Sequence, residues 1–352
     1  MTTGSRGVTT SGRPRIAIFS TGGTIASTRQ GGGAATPSLT AEELVKAVPQ
    51  LGDVAEVRAF RFRQLPSSDL TISDMVALAG EIRRAVDGGV CGAVVTQGTD
   101  TLEETSFALD LLWDRAEPVV LTGAMRNPAL PGADGPANLL AAALVAASPN
   151  ARGLGSLVVL NDEVHLPLFV RKVHTSNPSA FHSPLTGPIG WIVENRARIA
   201  LRPVVRHQIG ISSVPPVIPP VALAKVSLGD DGRLLGPIGS LGYEGLVVEA
   251  TGGGHVPGVM VESLAALAQT MPVALTSRTG SGELLRNTYG FPGSETDLSK
   301  RGLIHAGLLD GAKSRVLLTL LLIVGVGRET IVEAFDAIGN PGSKPEFRLT
   351  GR

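Results

Sequence analysis

Two stretches, RIAIFSTGGTIAST at residues 15–28 and GAVVTQGTDT at residues 92–101, decide the fold. Each begins with a run of apolar and β-branched residues that predicts a strand, and each continues into a turn rich in Gly and Thr. Segments with helical apolar spacing separate such runs, for example the one that begins at Ile72. Because alternating strands and helices are typical of a parallel sheet covered by helices, we predict an α/β fold.

The same alternation continues to about residue 200 and returns after a break. Residues 203–221 (PVVRHQIGISSVPPVIPPV) are rich in Pro and β-branched residues and poor in helix formers, which indicates a linker. Four segments are therefore predicted: a flexible tail over 1–13, a larger N-terminal parallel-sheet domain over 14–205, a linker over 206–222, and a smaller C-terminal α/β domain over 223–352.

Composition argues against several classes of function. The 352 residues carry 31 basic and 31 acidic side chains and a formal net charge of zero, so no overall field favours nucleic acids or anionic membranes. A single cysteine, Cys91, forms no internal disulfide and no thiolate metal site. The most apolar stretches, from Ala137 and from Val316, are shorter than the ~20 residues that cross a bilayer and predict buried helices. The N-terminus lacks the apolar stretch of a secretory signal, so we expect a cytoplasmic protein.

The two Gly/Thr-rich turns are expected to face one site, because ligands bind in the crevice beyond the carboxyl ends of parallel strands. Thr24 and Thr99 would supply hydroxyl groups there, and Asp100 adds a carboxylate beside the second one. Three glycines would offer backbone N–H donors to a developing oxyanion: Gly22, Gly23 and Gly98. Either turn alone is more often an ordinary strand end or helix cap, whereas the two together favour a catalytic site.

A hydroxyl nucleophile needs a base or an electrostatic partner to lose its proton. Lys172 follows the strand SLVVLN and is the candidate, although a lysine in an Arg-Lys pair is more often a solvated surface residue. Ser67 and Ser68 precede a predicted helix, where they would either hold the charged groups of an amino-acid substrate or cap the helix. His255 follows a strand end in the second domain and is a further candidate.

Other motifs are absent from the sequence. It contains no GxSxG elbow, no GxxxxGK[ST] loop and no GxGxxG fingerprint. Its six histidines form no HxH or HExxH pattern, so a metal site is not expected. Thr101 and Glu104 have the spacing of a capping box and predict that a helix begins at Leu102.

Five signatures occur in order over nearly the whole chain from Arg15: TGGTIA (21–26), QGTDTLEET (97–105), GAMR…ADGPANL from Gly123, Lys172 with VHTSNPSAF, and YGF at Tyr289. With them the chain resembles the bacterial-type L-asparaginases. The resemblance implies a larger N-terminal α/β domain joined by a linker to a smaller C-terminal one. It also implies a homotetramer built from two intimate dimers with shared active sites, and no cofactor or metal.

The resemblance also implies roles for individual residues. Four positions match the catalytic group of the family: the nucleophile Thr24, the second threonine Thr99, its aspartate Asp100, and the lysine Lys172. Ser67 and Ser68 match the positions that bind the α-carboxylate and α-amino groups of the substrate, and Asp100 also takes the amino group.

In two places the sequence departs from the family pattern. The mobile lid after TGGTIA usually supplies a tyrosine, but residues 27–40 (STRQGGGAATPSLT) contain none. Secreted members place an asparagine in the second domain that reaches the partner's substrate, whereas TGGGHVP at residues 251–257 contains none. His255 is the candidate substitute.

The expected reaction is hydrolysis of the side-chain amide of L-asparagine, with Thr24 as the attacking group. Two alternatives stay open at this point. One is the ammonia-supplying subunit of a tRNA-dependent amidotransferase, which needs an RNA-facing basic surface. The other is a non-catalytic amino-acid-binding homologue, which the missing lid tyrosine favours. Ammonia release from free asparagine by the purified chain separates the three.

Overall fold

The structure is a computed structural model that describes residues 12–23, 25, 27–29, 35–37, 41–342 and 345–349. The strands in these residues are β1 (Arg15–Ser20), β2 (Ser27–Arg29), β3 (Ala35–Pro37), β4 (Glu56–Arg61), β5 (Gly92–Thr96), β6 (Val119–Thr122), β7 (Ser156–Leu160), β8 (Glu163–His165), β9 (Arg171–Lys172), β10 (Phe181–His182), β11 (Gly190–Val193), β12 (Arg196–Ile199), β13 (Gln208–Ile209), β14 (Val221–Lys225), β15 (Gly245–Ala250), β16 (Val273–Ser277), β17 (Ile304–His305) and β18 (Arg348–Leu349).

The helices in the same residues are α1 (Ala41–Lys46), α2 (Leu51–Val54), α3 (Ile72–Asp87), α4 (Leu102–Leu112), α5 (Gly135–Ala146), α6 (Val261–Thr270), α7 (Glu295–Lys300), α8 (Gly311–Val324) and α9 (Arg328–Gly339). The apolar stretches that begin at Ala137 and Val316 form the buried helices α5 and α8, as predicted. None of the helices in the described part of the chain is long and apolar enough to cross a membrane.

A large sheet forms the N-terminal part. Its strand order is β12-β11-β8-β7-β6-β5-β1-β4. The five strands from β4 to β7 pair in parallel, and the three at the other end pair antiparallel. The predicted α/β fold with a larger parallel-rich N-terminal sheet is thus confirmed.

Helices cover the two faces of this sheet unequally. Helices α3 and α4 pack on one face through residues such as Leu78 and Leu109. Helices α1, α2 and α5 pack on the other through residues such as Leu44 and Leu139.

The β5–α4–β6 and β6–α5–β7 crossovers advance in the same direction across the sheet but on opposite faces, so their hands are opposite. The other parallel crossovers have the same hand as β5–α4–β6. Because parallel crossovers are right-handed in nearly all proteins, this shared hand is right-handed, and the β6–α5–β7 crossover is left-handed.

The placement of the helices opens a crevice at the centre of the sheet. Strands β1 and β5 are neighbours, but the chain leaves β1 toward the face that carries α1 and leaves β5 toward the face that carries α4. The two segments therefore diverge beyond the carboxyl ends of the strands. Such a switch point is where α/β proteins bind their ligands.

The C-terminal part contains a smaller parallel sheet with the consecutive order β14-β15-β16-β17. Helices α6 and α7 pack on one face through Leu264 and Leu298. Helices α8 and α9 pack on the other face through Leu317 and Phe335, which belong to the same hydrophobic cluster as α4 of the large sheet. The two parts of the molecule thus share one continuous core.

The predicted linker contains ordered backbone. Strand β13 pairs in parallel with β18 near the C-terminus, and Ile209 within it is fully buried. Strand β14 begins at Val221. The chain that connects the two sheets is therefore fastened to α4 and to the C-terminal residues.

Candidate active site

The turn after β1 lies directly against the turn after β5. Gly23 has a φ of +84°, and a Cβ there would overlap the backbone of Gly98. Both the left-handed φ and the close approach require glycine. This contact places the residue before Thr24 against the residue before Thr99. Thr24 itself lies outside the described residues.

Lys172 joins the two polar side chains of the second turn. Its Nζ donates to Thr99 Oγ1 at 2.9 Å and to Asp100 Oδ1 at 2.5 Å. Thr99 is buried, and the Lys172 side chain is 15% exposed, whereas the Asp100 side chain is 74% exposed. The lysine therefore reaches the crevice from the shielded side, and the carboxylate faces the open side.

The backbone of Lys172 is held as well as its side chain. Strand β9 pairs with β10, where Lys172 lies opposite Phe181. The Lys172 peptide N–H donates to Glu103 Oε2 at 2.9 Å, from the first turn of α4. Burial raises the pKa of Glu103, and the nearby charge of Lys313 opposes that rise. The lysine is thus fixed at its amide and at its ammonium group.

The predicted capping box at the start of α4 is wrong. The chain enters α4 through a 3-10 turn over Thr99–Thr101, and the Thr101 hydroxyl makes no cap. It donates instead to the Ser67 carbonyl at 2.8 Å, and Gln97 Nε2 donates to it at 3.3 Å. Thr101 therefore fastens the turn after β5 to the segment that carries the two serines.

Ser67 and Ser68 lie beside this turn. Ser67 is buried, and a Cβ on Gly98 would lie 2.9 Å from its Oγ, so the two residues are in close contact. Ser68 is exposed, with its Oγ 3.4 Å from Asp69 Oδ1. The capping of α3 is done by Thr71, whose Oγ1 accepts from the Asp74 N–H at 3.2 Å. Helix capping therefore does not account for either serine.

Asp134 and Asn138, which had no role predicted from the sequence, fix the wall of the crevice. The carboxylate of Asp134 accepts from the Met125 N–H at 2.9 Å and the Arg126 N–H at 2.8 Å, so it ties the loop after β6 instead of capping α5. Asn138 Nδ2 donates to the Gly123 carbonyl at 3.0 Å. A Cβ on Gly123 would lie 3.0 Å from Thr99 Cγ2, so this loop borders the threonine. The ADGPAN motif was the available signal.

His255 occupies a different place. Its Nε2 lies 3.2 Å from Glu295 Oε2, and its ring packs edge-on against Tyr289 and Phe291 at centroid distances of 5.0 and 5.2 Å. Within the described residues, no hydrogen bond, ion pair or ring contact joins His255 to the group around Lys172.

The described residues contain no group of three or more His, Cys, Asp or Glu side chains arranged to hold a metal ion. Cys91 lies partly buried just before β5, where burial raises the pKa of its thiol. The polar groups at the crevice are thus hydroxyl groups, a carboxylate and an ammonium group, which suit acyl transfer through a hydroxyl nucleophile.

Comparisons with known proteins place the chain in a family. A family model for the N-terminal domain of asparaginase matches residues 15–205, and one for the glutaminase/asparaginase C-terminal domain matches residues 220–335. The chain is 35% identical to the L-asparaginase of Bacillus licheniformis, covering 88% of this chain and 95% of that protein. It is 31% identical to one component of the glutamyl-tRNA(Gln) amidotransferase of Methanosarcina barkeri, covering 90% of this chain and 75% of that protein. A crystal structure of the probable cytoplasmic L-asparaginase of Campylobacter jejuni superposes with a TM-score of 0.83 at 31% identity, covering 92% of this chain and 99% of that one.

Proposed function

The chain belongs to the asparaginase family and is an amidohydrolase of that family, and we propose that it hydrolyses the side-chain amide of L-asparagine through a threonine acyl-enzyme. The observation that carries the proposal is the contact of Lys172 Nζ with both Thr99 Oγ1 and Asp100 Oδ1, at 2.9 and 2.5 Å. A lysine between a hydroxyl and a carboxylate can accept and return a proton during acyl transfer.

In the proposed reaction, Thr24 Oγ attacks the amide carbon of asparagine. Its proton passes to the group formed by Thr99, Asp100 and Lys172, and from there to the amide nitrogen. The C–N bond then breaks, and ammonia leaves. Water attacks the resulting ester with the same group as base, and aspartate and the free Thr24 hydroxyl are released.

The substrate is held by the groups that surround the crevice. We assign its α-carboxylate and α-amino groups to Ser67 and Ser68, with Asp100 taking the amino group as well. The exposed carboxylate of Asp100 and the exposed Ser68 hydroxyl support this assignment. The backbones of Gly23 and Gly98, which meet at the crevice, are assigned to the oxyanion that develops on the amide.

The proposal includes a homotetramer with shared active sites. Because the Asp100 side chain is 74% exposed, the crevice of one chain is open to solvent, and amide hydrolysis benefits from a closed site. We propose that a neighbouring chain covers it and contributes His255. Mixing Lys172→Met chains with His255→Ala chains tests this. If sites are shared, some mixed sites contain Lys172 from one chain and His255 from the other, and these sites recover activity. Mixtures that never exceed the two parents contradict sharing.

The amidotransferase alternative is favoured by the relative from Methanosarcina barkeri. It differs from the proposal in one measurable property, since a protein of that kind passes its ammonia to a partner. The zero net charge of the chain supports the free enzyme, because an RNA-facing surface needs an excess of basic residues. The cytoplasmic location stays a prediction, since matched proteins are named both cytoplasmic and periplasmic.

Ammonia release from free asparagine by the purified chain tests the function. The mechanism is tested on the same protein by rapid acid quench during turnover and peptide mass mapping. We expect one aspartyl group on the peptide that contains Thr24, and none in Thr24→Ala. No ammonia release would exclude the function, and an aspartyl group on the Thr99 peptide would exclude the assigned nucleophile.

A further inference from the structure

A buried lysine in the second domain reaches the segment that leads to Lys172. Lys313 lies in the first turn of α8 and is 1% exposed. Its Nζ donates to the Leu168 carbonyl at 3.1 Å and to the Val170 carbonyl at 2.6 Å. These carbonyls precede Lys172 by four and two residues, so an ammonium group from one domain fastens the backbone that enters β9 in the other.

The surroundings of Lys313 explain why a charged group is tolerated there. Burial lowers the pKa of the Lys313 ammonium, and the carboxylates of Asp310 and Glu103 oppose that effect. Asp310 Oδ2 lies 3.8 Å from Nζ, and Asp310 also caps α8 by accepting from the Lys313 N–H at 2.9 Å. A buried charge persists in proteins when it is paired and hydrogen-bonded, and both conditions are met here.

Glu103 completes the arrangement from the other side. Its Oε2 accepts the Lys172 N–H at 2.9 Å, and the positive charge of Lys313 acts on its carboxylate. The backbone at Lys172 is thus held by a carboxyl group on α4, and the backbone just before it by an ammonium group on α8. Helix α8 also packs on α4, so the two anchors lie on elements that contact each other directly.

We propose that Lys313, together with Glu103, is a positioning residue that sets the distance between Lys172 and the Thr99–Asp100 turn. This inference rests on the proposed function of Lys172. Neither residue touches the substrate, and each acts by fixing the backbone from which the Lys172 side chain extends. Through Lys313 the second domain contributes to the geometry of the catalytic group within its own chain. A shift of ~1 Å in a reacting group can lower the rate by about 100-fold, so small changes at these anchors are measurable.

A double-mutant cycle tests the proposal. Lys313→Met should lower kcat at least about 10-fold in the wild-type background, with the KM for asparagine within about threefold. In the Lys172→Met background it should lower kcat no further, because its effect passes through Lys172. Equal losses in both backgrounds would show that Lys313 has only a structural role and would overturn the proposal.

Arg315→Met is the matched control. Arg315 also lies on α8 and donates from Nε to a backbone carbonyl, that of Val221 at 2.9 Å, but this carbonyl belongs to the second domain itself. We expect Arg315→Met to keep kcat within about twofold. A loss equal to that of Lys313→Met would assign the effect to α8 in general and would contradict the specific role.

Two further arms cover failure of folding and failure of the proposed function. Should Lys313→Met not fold, Glu103→Leu removes the other anchor and is put through the same cycle with the same expectations. Should the wild type release no ammonia, hydrogen–deuterium exchange at the Lys172 amide still measures how firmly the backbone at Lys172 is held. We expect faster exchange in Lys313→Met than in wild type and Arg315→Met, and equal exchange in all three would overturn the proposal.

Discussion

The turn that follows β1 and the turn that follows β15 are similar in sequence, TGGT at residues 21–24 and TGGGH at residues 251–255, yet they occupy different positions in the fold. The first lies against the turn after β5 and borders a crevice. The second folds back on itself, because the Thr251 hydroxyl donates to the His255 carbonyl at 2.9 Å. Gly253 and Gly254 in this turn lie close to the side chains of Leu285 and Leu284.

The difference follows from strand order and not from the turns themselves. In the large sheet, β1 and β5 are neighbours that send the chain to opposite faces, so a gap opens between their ends. In the small sheet, β14 to β17 follow one another in order, and no such divergence opens beside β15. A Gly-rich turn after a parallel strand therefore indicates a site within its own chain only where the topology provides a crevice.

The largest expected effect comes from replacing one threonine in each of the two turns and comparing kcat. Thr99→Val removes the hydroxyl that accepts from Lys172 Nζ and should lower kcat by about 10²-fold or more. Thr251→Val removes a hydroxyl of the self-contained turn and should leave kcat within about threefold. Steady-state ammonia release measures both. Similar losses in the two variants would remove the distinction between the turns.

Substrate preference sharpens the comparison further. If Ser67, Ser68 and Asp100 clamp the α-groups, the amide of glutamine lies one methylene beyond that of asparagine, and a misplacement of ~1 Å costs about 100-fold. We therefore expect kcat/KM for asparagine to exceed that for glutamine by about 100-fold. His255→Ala should raise KM for both amides alike. Comparable efficiencies on the two amides in the wild type would refute the clamp.

Glycine substitutions compare the backbones of the two turns. An alanine at Gly23 would meet the Gly98 backbone at a φ of +84°, whereas one at Gly252 would meet nothing within 4 Å at a φ of +52°. We expect Gly252→Ala to lower the free energy of unfolding by about 1 kcal/mol, the usual cost of a left-handed residue. Gly23→Ala should cost about 2 kcal/mol more. Urea unfolding measures both, and equal costs would mean that the close approach is relaxed in solution.

A decrease in pH has the smallest expected effect. We expect it to lower the free energy of unfolding through His165, in the N-terminal part. Burial, with the charge of His182, lowers the pKa of His165 to about 4. The unfolded chain thus binds a proton between pH 6.5 and 4 that the folded chain does not, so stability falls as pH falls through that window. Between pH 6.5 and about pH 5, the free energy of unfolding of the wild type should therefore fall by about 1–2 kcal/mol more than that of His165→Gln.

Glu295, beside the second turn, provides the contrast. Burial raises the pKa of this carboxyl, but hydrogen bonds from the Tyr289 and Thr288 N–H groups outweigh it and lower the pKa below 4.5. The stability that it contributes is present above that value and is lost only as pH falls through the folded pKa. In Glu295→Gln, the free energy of unfolding should therefore change with pH as steeply as in the wild type between pH 6.5 and 5. A slope equal to that of His165→Gln would contradict the assignment to His165.

Local features of the fold were predictable from the sequence. Strand β1 covers RIAIFS, the apolar run at the start of the first stretch, and the helix predicted from Ile72 begins there. Apolar periodicity predicts such elements because it depends on burial of one face. The left-handed β6–α5–β7 crossover was not predictable, since it depends on which face α5 covers. Thr101 likewise has the spacing of a cap, but the nearby Ser67 carbonyl takes its hydrogen bond.

The candidate site was predictable for the side chains that strand-end motifs place and not for those that reach it through tertiary packing. Asp100 follows β5, and Lys172, which the sequence offered as its partner, lies in β9 with its Nζ 2.5 Å from Asp100 Oδ1. Lys313 stands in GAKSRV, where spacing indicates an ordinary polar position in a helix. Only the packing of α8 against α4 buries it beside the chain that leads to Lys172.

The comparison of Lys172→Met with Tyr289→Phe, each assayed across pH with the oligomeric state checked, tests the central claim most directly. Lys172 contacts Thr99 and Asp100 in the crevice, whereas Tyr289 packs against His255 beside the second turn. Lys172→Met should lower kcat by about 10²-fold or more throughout the pH range assayed, while Tyr289→Phe stays close to wild type. Inactivation by Tyr289→Phe, with the rate of Lys172→Met intact, would contradict this claim.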